Sequence, residues 1–193
     1  LDGIVDLAYS VLNANREVND GKLSPRFNVT VSTSVFVPKP NTPFQWFSQD
    51  SQETMKVKQQ YLKAKLRHKN ISYDYHDYDL SFLEAVIARG DRRLSAAIHS
   101  AFRKGCKFDS WGEHFRYDLW MEAFEENGID PFEIANGEWK IDQPLPWDHI
   151  DTGVSKAFLV REWNEALEEN TTGDCRENCL GCSINTDIGK GLC

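Results

Sequence analysis

The pattern of apolar and polar positions predicts a helix and then a strand near the start of the chain. Apolar residues recur every three or four positions over residues 1–18, which is the period of an amphipathic helix. From Phe27 to Val37 they recur at every second position, in a run rich in β-branched residues. Neither face of this strand carries a charge, so we expect it inside a covered sheet or a closed barrel. Pro38, Pro40 and Pro43 then require an extended loop.

Downstream of these prolines the pattern is mostly helical. Asp50 with Glu53, and Ser81 with Glu84, have the spacing of capping boxes, and glycines end the apolar stripes. The predicted elements are helices over residues 51–69, 81–89, 91–104, 115–127 and from about 155, a short strand over 71–75, and an irregular segment over 130–151.

The composition indicates globular, acidic material. The 193 residues are 40% hydrophobic, a length and composition that suit one domain or one and a part. The net charge of −8 argues against non-specific binding to nucleic-acid backbones. The sequence contains no signal peptide and no transmembrane run, so we expect a cytoplasmic protein without membrane contact. Because the chain begins at Leu1, we interpret it as a fragment or a processed product.

A cluster of cysteines near the C-terminus is the strongest chemical signal. Cys175, Cys179 and Cys182 follow a C-x3-C-x2-C spacing, and Cys193 is the last residue. An odd total of five cysteines, three of them crowded together, favours metal ligation in a reducing compartment over a disulfide framework. We expect the three thiolates to share a zinc ion or an iron–sulfur cluster, with Cys193 as the candidate fourth ligand. The spacing does not choose between these metals, and a site without metal is the alternative.

Four long stretches of the chain resemble one branch of the radical S-adenosylmethionine (SAM) proteins. They are FNVTVSTSVFVPKPNTPFQW over residues 27–46, ARGDRRLSAAIHSAFRKGCKFDSW over 88–111, HFRYDLWMEAF over 114–124, and PWDHIDTGVSKAFLVREW over 146–163. The branch is that of large radical SAM proteins with a cobalamin-binding domain and an unassigned substrate. The resemblance covers nearly the whole chain and identifies it as the C-terminal part of such a protein.

The resemblance implies an α/β fold, the terminal portion of a partial (β/α) radical SAM barrel followed by a mostly helical extension. Residues 1–70 would end the barrel with a helix, the last strand over 27–37 and a second helix. Residues 71–170 would form the extension, and 171–193 a cysteine-rich tail. The resemblance also implies that backbone groups of Phe36 and Val37 pass near the adenine of SAM. SAM and cobalamin would be cofactors only of the longer protein, whose upstream domains would be the partners of this chain.

The C-terminal cysteines do not match the family's radical-initiating motif in position. That motif has the same spacing but lies after the first barrel strand, whereas only eleven residues follow Cys182 here. The family favours an aromatic residue before the last cysteine, where this chain has Gly181, and its tail often has a further cysteine where this chain has Asn185. We therefore interpret the cluster as an accessory site, assign no catalytic residue, and expect the isolated chain to be inactive.

A rival interpretation places the chain in a different class. It would be a non-enzymatic, zinc-stabilised helical module that binds a protein or RNA through the face Arg89 to Arg103. Under the barrel interpretation, the strand over residues 27–37 lacks its neighbours, and an exposed edge invites pairing between chains. Self-association through that strand is therefore expected.

Four further groups of residues have both a functional and a structural interpretation. They are His149 between Asp148 and Asp151, His114 one turn before Asp118, the loop Arg89–Arg93, and Cys106. For the two histidines we favour capping and packing over proton transfer or metal binding. The arginine loop fits an anion site and ion pairing with the acidic last helix equally well. We expect Cys106 to be a buried, inert thiol.

Overall fold

The computed structural model describes residues 1–184, which form a mixture of helices and a small sheet. The elements are α1 (Asp2–Glu17), β1 (Val29–Thr33), a 3₁₀ helix (Pro43–Trp46), α2 (Gln52–Lys65), β2 (Ile71–Tyr75), α3 (Tyr78–Arg89), α4 (Leu94–Lys104), α5 (Tyr117–Glu126), α6 (Pro131–Asn136) and α7 (Lys156–Leu167). This mixture, with β1 and β2 parallel, confirms the predicted α/β class. The described residues contain two strands and do not close a barrel. None of their helices has the length and apolar character that crossing a membrane requires.

The chain folds into two compact units that are discontinuous in sequence. The first unit consists of Leu1–Phe36 and Asp50–Ser81, and the second of Val37–Gln49 and the residues from Phe82 onward. This grouping differs from the three consecutive segments expected from the sequence, because the proline-rich loop after β1 belongs to the second unit.

The first unit is a strand–helix–strand arrangement with its helices on one face of the sheet. The strands pair in parallel from Val29 opposite Ile71 to Thr33 opposite Tyr75, and the crossover between them contains α2. Val29 and Val31 pack against a buried core drawn from α1, α2 and β2: Ala8, Leu12, Leu62, Leu66 and Ile71. The strand is shorter than the predicted run over 27–37, since β2 pairs with five of its residues.

The other face of this sheet is polar and exposed in the first unit. Thr30, Ser32 and Ser72 are exposed on it, and the hydroxyls of Thr30 and Ser72 lie 3.0 Å apart. The sequence predicted a strand covered on both faces. Within the part of the chain that the structure describes, only the valine face of β1 is covered.

The start of α2 differs from the predicted capping box. Ser51 is the N-cap, and its hydroxyl accepts a hydrogen bond from the Thr54 amide at 3.2 Å. Asp50 instead pairs with Lys58 on the second turn. Either residue has a side chain suited to capping, so the sequence alone placed the helix start one residue too early.

The second predicted capping box, at Ser81, is wrong. Helix α3 already begins at Tyr78, and the carboxylate of Asp77 accepts a hydrogen bond from the Asp79 amide at 2.8 Å. Ser81 lies inside the helix, where its hydroxyl donates to the Asp77 carbonyl at 3.1 Å. A buried serine that bonds back to a carbonyl four residues earlier is a known alternative to capping.

The second unit is built around tryptophans. Trp46 of the 3₁₀ helix packs with Leu145, Trp147, Leu159 and Trp163 in one buried cluster, so α7 is held against the 3₁₀ helix. The Trp139 amide donates to the Trp46 carbonyl at 3.0 Å.

Helix α6 lies inside the segment predicted to be irregular. Asp130 caps it by accepting hydrogen bonds from the amides of Phe132 and Glu133, at 2.9 and 3.1 Å, and Pro131 occupies its first position. A six-residue helix is too short to show the apolar periodicity on which the other helix predictions rest.

Gly90 provides a test of the packing between α3 and α4. A Cβ added to Gly90 would lie 2.1 Å from Leu94 Cδ1 and 2.9 Å from the Val86 carbonyl oxygen. Gly90→Ala should therefore lower the free energy of unfolding of the second unit by about 1–3 kcal/mol. Urea unfolding followed by tryptophan fluorescence measures this, since all six tryptophans lie in the second unit.

Gly112→Ala is the matched control, because an added Cβ there meets no atom within 4 Å. We expect it to change stability by less than about 0.5 kcal/mol. Equal losses in the two variants would contradict the packing described for Gly90.

Candidate functional site

The cysteine-rich tail folds back along α7. Ser155 caps α7, its hydroxyl accepting from the Phe158 amide at 3.3 Å. After the helix the chain reverses and makes three contacts with it, which run from its C-terminal half to its first turn. Thr172 donates to Glu162, Arg161 donates to the Leu180 carbonyl at 2.5 Å, and the Ser155 amide donates to the Cys182 carbonyl at 2.9 Å. The tail is thereby fixed antiparallel to α7.

A single turn separates the first two cysteines of the tail. The Asp174 carboxylate accepts from the Arg176 amide at 2.9 Å, and the Asp174 carbonyl accepts from the Glu177 amide at 3.0 Å. This turn places Cys175 and Cys179 at its two ends. Gly181 then adopts a φ of 70°, a left-handed conformation that glycine tolerates, just before Cys182.

The donor atoms of the tail suit a soft metal, but the structure does not gather them. Cys175 and Cys179 are exposed and Cys182 is half-buried. Thiolates are preferred ligands of zinc and of iron–sulfur clusters. Among residues 1–184, however, no three His, Cys, Asp or Glu side chains are arranged to hold a metal ion. The predicted fourth ligand, Cys193, and the neighbouring Asn185 lie outside the described residues.

Arg89, the first residue of the predicted arginine loop, is completely buried. Its Nη1 donates to the Ala135 carbonyl at 2.6 Å, and its Nη2 donates to the Gly137 carbonyl at 2.7 Å. These carbonyls lie at the C-terminal end of α6, where the helix dipole favours a cation. The guanidinium carbon also lies 4.8 Å from the centre of the Trp139 ring.

The buried guanidinium carries an electrostatic cost. Its Nε is buried and has no hydrogen-bond acceptor among the described residues. Burial lowers the pKa of Arg89 to about 10, so the side chain is still charged at neutral pH. A buried cation held by two carbonyls and an aromatic face is a structural anchor.

The other arginines of the loop do not pair with the acidic last helix in the described structure. Arg93 Nε lies 3.0 Å from both carboxylate oxygens of Asp91, and this hydrogen bonding lowers the pKa of Asp91. Arg92 is exposed beside them. Of the two interpretations of this loop, ion pairing with α7 is therefore wrong for Arg89 and Arg93.

The carboxylates beside His149 have local structural roles. Asp148 Oδ2 accepts from the Leu145 amide at 3.0 Å and lies 3.3 Å from Lys156 Nζ. Asp151 Oδ1 accepts from the Gly153 amide at 2.8 Å. Neither carboxylate is the N-cap of α7, so that part of the prediction is wrong. The exposed His149 forms no hydrogen bond with either of them in the described structure.

The predicted structural role of His114 and Asp118 also holds. Asp118 pairs with Arg116 at 2.8 Å, and this hydrogen bonding lowers the pKa of Asp118. The His114 ring lies 6.2 Å from that of Phe108. No metal-binding group forms around them among the described residues.

Phe36 and Val37, predicted to pass near SAM, follow the carboxyl end of β1. They lie in the irregular segment beyond Thr33, with Phe36 49% exposed and Val37 half-buried. The carboxyl edge of a parallel sheet is the usual place for ligands in α/β proteins.

The sequence analysis missed a polar group at this same edge. The hydroxyls of Thr33 and Tyr73 lie 3.0 Å apart, and Gln52 Nε2 donates to Asp79 Oδ1 at 3.0 Å. Burial, followed by the nearby charge of Asp77, raises the pKa of Asp79. The signal was available in the sequence, since HDYD over residues 76–79 places titratable side chains directly after a predicted strand.

Comparison with known proteins gives one weak likeness to report. The chain is 24% identical over 101 residues to an uncharacterized protein of Methanocaldococcus jannaschii, and the match covers 52% of this chain and 22% of that protein. The chain thus matches about a fifth of the length of this relative. No family model matches the chain, and no solved structure matches it.

Replacing Arg89 should destabilise the second unit. Arg89→Met keeps the apolar stem but removes the donor of the Gly137 carbonyl and one of the two donors of the Ala135 carbonyl, so we expect a loss of about 2–4 kcal/mol in unfolding free energy. Arg92→Met, at an exposed position, should change it by less than about 0.5 kcal/mol. Urea unfolding followed by tryptophan fluorescence measures both variants. A stabilised Arg89→Met protein would show that the free energy lost by burying the cation exceeds the free energy gained from its hydrogen bonds.

Cys106 should react far more slowly than the tail cysteines. It is buried, as predicted, and burial, followed by the charge of Asp109, raises its pKa, so little thiolate is present at neutral pH. We expect alkylation by iodoacetamide about tenfold or more slowly than at the exposed Cys175. Peptide mapping by mass spectrometry measures both rates, and unfolding in urea should abolish the difference. Equal rates in the folded protein would refute this assignment.

Proposed function

We propose that this chain is the C-terminal portion of a radical SAM iron–sulfur enzyme of the cobalamin-binding-domain type. It contributes the end of the barrel, a helical extension on the substrate side, and an accessory metal site at Cys175, Cys179 and Cys182. The single observation that carries the proposal is the one-sided parallel sheet of the first unit.

Two parallel strands with helices on one face are an incomplete structure. Parallel sheets are normally covered on both faces, and a two-stranded sheet is marginal on its own. In a (β/α) barrel the helices lie outside and the opposite strand face points into the lumen. The exposed residues of that face are the small, neutral Thr30, Ser32 and Ser72 and the charged Asp74, which suits a polar, lumen-facing surface. In the proposal β1 is the last barrel strand, and β2, which pairs with it in parallel, belongs to the extension.

The missing strands would come from the upstream part of the same protein. SAM and cobalamin would bind there, and the carboxyl end of β1, with Phe36 and Val37, would approach SAM from this chain. Without those strands, the open sheet would favour self-association through residues 27–37.

The tail supplies the donors for an accessory zinc ion or iron–sulfur cluster. A bound cluster would supply electron transfer or a structural cross-link. This chain's residues would hold it in place, because the hydrogen bonds of Thr172, Leu180 and Cys182 fix the tail to α7.

Formation of 5′-deoxyadenosine from SAM tests the proposal. Under anaerobic, reducing conditions the longer protein should form it, whereas the isolated chain should form none, even with its metal restored. The Cys175, Cys179 and Cys182 triple serine variant of the longer protein should retain some SAM cleavage but lose metal. SAM cleavage by the isolated chain, or equal metal content in the wild type and the triple variant, would contradict the proposal.

A second candidate function is a zinc-stabilised helical module that binds a protein or RNA partner. The observation that favours it is an exposed aromatic and basic surface formed by the last turn of α4 and the residues that follow it. Phe102, Phe108 and Trp111 are more than half exposed, and Lys107 Nζ lies 5.4 Å from the centre of the Phe102 ring. The buried Arg89 does not contribute to it. Zinc without iron or sulfide in anaerobically purified protein would favour this candidate over the first.

A further inference from the structure

The loop between α3 and α4 contains one arginine, Arg92, whose side chain is not held by contacts within the described structure. Arg89 is buried against carbonyls, and Arg93 is bonded to Asp91. Arg92, between them in sequence, is exposed, and its side chain forms no ion pair or hydrogen bond with the other described residues. A guanidinium has five donors, so Arg92 retains its full capacity to bind an anion.

Arg92 lines an open cavity whose wall contains two arginines against one carboxylate. The cavity has a volume of about 660 Å³ and is lined by Asp91, Arg92, Arg93, Pro146 and His149. The single carboxylate among these residues is already bonded to Arg93. The wall therefore presents one unpaired guanidinium, one paired guanidinium and an imidazole, although the whole chain has a net charge of −8.

A second cavity of about 470 Å³ adjoins the first and shares Asp91, Arg93 and Pro146 with it. Its wall combines polar and apolar groups, and the apolar side chains are Trp139 together with Leu94, Ile129, Ile134, Leu145 and the two prolines. Besides the shared Asp91, it contains two further acidic residues. Asp130 is committed to capping α6, whereas Glu133 adds a negative charge near Arg93, whose pKa is raised first by its hydrogen bond to Asp91 and further by Glu133.

We propose that the two cavities form one binding site for a small organic anion. The phosphate or carboxylate group of the ligand occupies the cavity of Arg92, Arg93 and His149, and its apolar body lies against Trp139. Planar guanidinium groups match the geometry of both anionic groups, and an adjoining aromatic wall selects for an apolar body. This site lies in the second unit and does not depend on the proposed radical SAM function.

Binding of inorganic phosphate and of phenyl phosphate to the 193-residue chain tests the site. Isothermal titration calorimetry gives the affinities, and amide chemical shifts locate the ligand. The test variant is Arg92→Gln. The matched control is Arg103→Gln, which removes from the last turn of α4 an exposed arginine that lines neither cavity.

The wild type should bind both ligands saturably, with phenyl phosphate tighter than phosphate. Arg92→Gln should weaken both by about tenfold, the loss expected for a charged hydrogen bond. Arg103→Gln should bind as the wild type does, and His149→Gln should lose less than Arg92→Gln. Thermal melting checks that each variant is folded.

Three results would overturn the site. Non-saturable binding would show that phosphate is only screened by surface charge. Equal weakening by Arg92→Gln and Arg103→Gln would show a diffuse electrostatic effect. Equal affinity for phosphate and phenyl phosphate would show that the second cavity does not contribute to binding.

Discussion

The second unit depends on where the guanidinium of Arg89 is placed. A buried cation without a carboxylate partner is among the more expensive features that a core can contain, and its cost falls only if carbonyls are directed towards it. The carbonyls of Ala135 and Gly137 serve this purpose, so α6 must end where it does. The same stretch is bonded to the proline-rich loop after β1, since the Gln49 amide donates to the Ala135 carbonyl and the Asn136 side chain donates to the Gln49 carbonyl. Arg89, α6 and the segment Val37–Gln49 are therefore one interlocked arrangement.

This anchor also shapes the surface beside it. Arg89 lies against one face of Trp139, and Trp139 stacks on Trp147 with ring centres 5.3 Å apart. The next residue after Arg89 is Gly90, whose close contact with Leu94 sets the tight turn into α4. Arg92 and Arg93 thus lie on a short loop that follows directly after these packed residues. Preorganisation of this kind lowers the entropic cost of binding a ligand.

Sequence reasoning found the elements that have a clear local sequence pattern. It missed those determined by contacts between residues distant in sequence. The apolar stripes of α1 and α4, the strand β1 and the Ser155 start of α7 follow from short-range pattern. For the loop Arg89–Arg93 the sequence left an anion site and pairing with the acidic last helix open, because no local feature shows that Arg89 meets carbonyls more than forty residues away. Helix α6 was missed for a related reason: a proline and a capping aspartate are its only local signals. The exact helix starts at Ser51 and Asp77 were decided by competition between adjacent capping residues, which propensity does not rank.

In the tail, the thiols that could bind a metal are different groups from those that hold the tail against α7. Its spacing made the cysteines the first functional signal in the sequence, yet the contacts that fix the tail to α7 use other atoms. They use the hydroxyl of Thr172 and the main-chain carbonyls of Leu180 and Cys182. Serine in place of a cysteine preserves those carbonyls, so the tail should keep its path when its thiols are removed. A metal bound there would then stabilise a tail whose path is already set by hydrogen bonds to α7. Small zinc modules differ, because they are unfolded without metal.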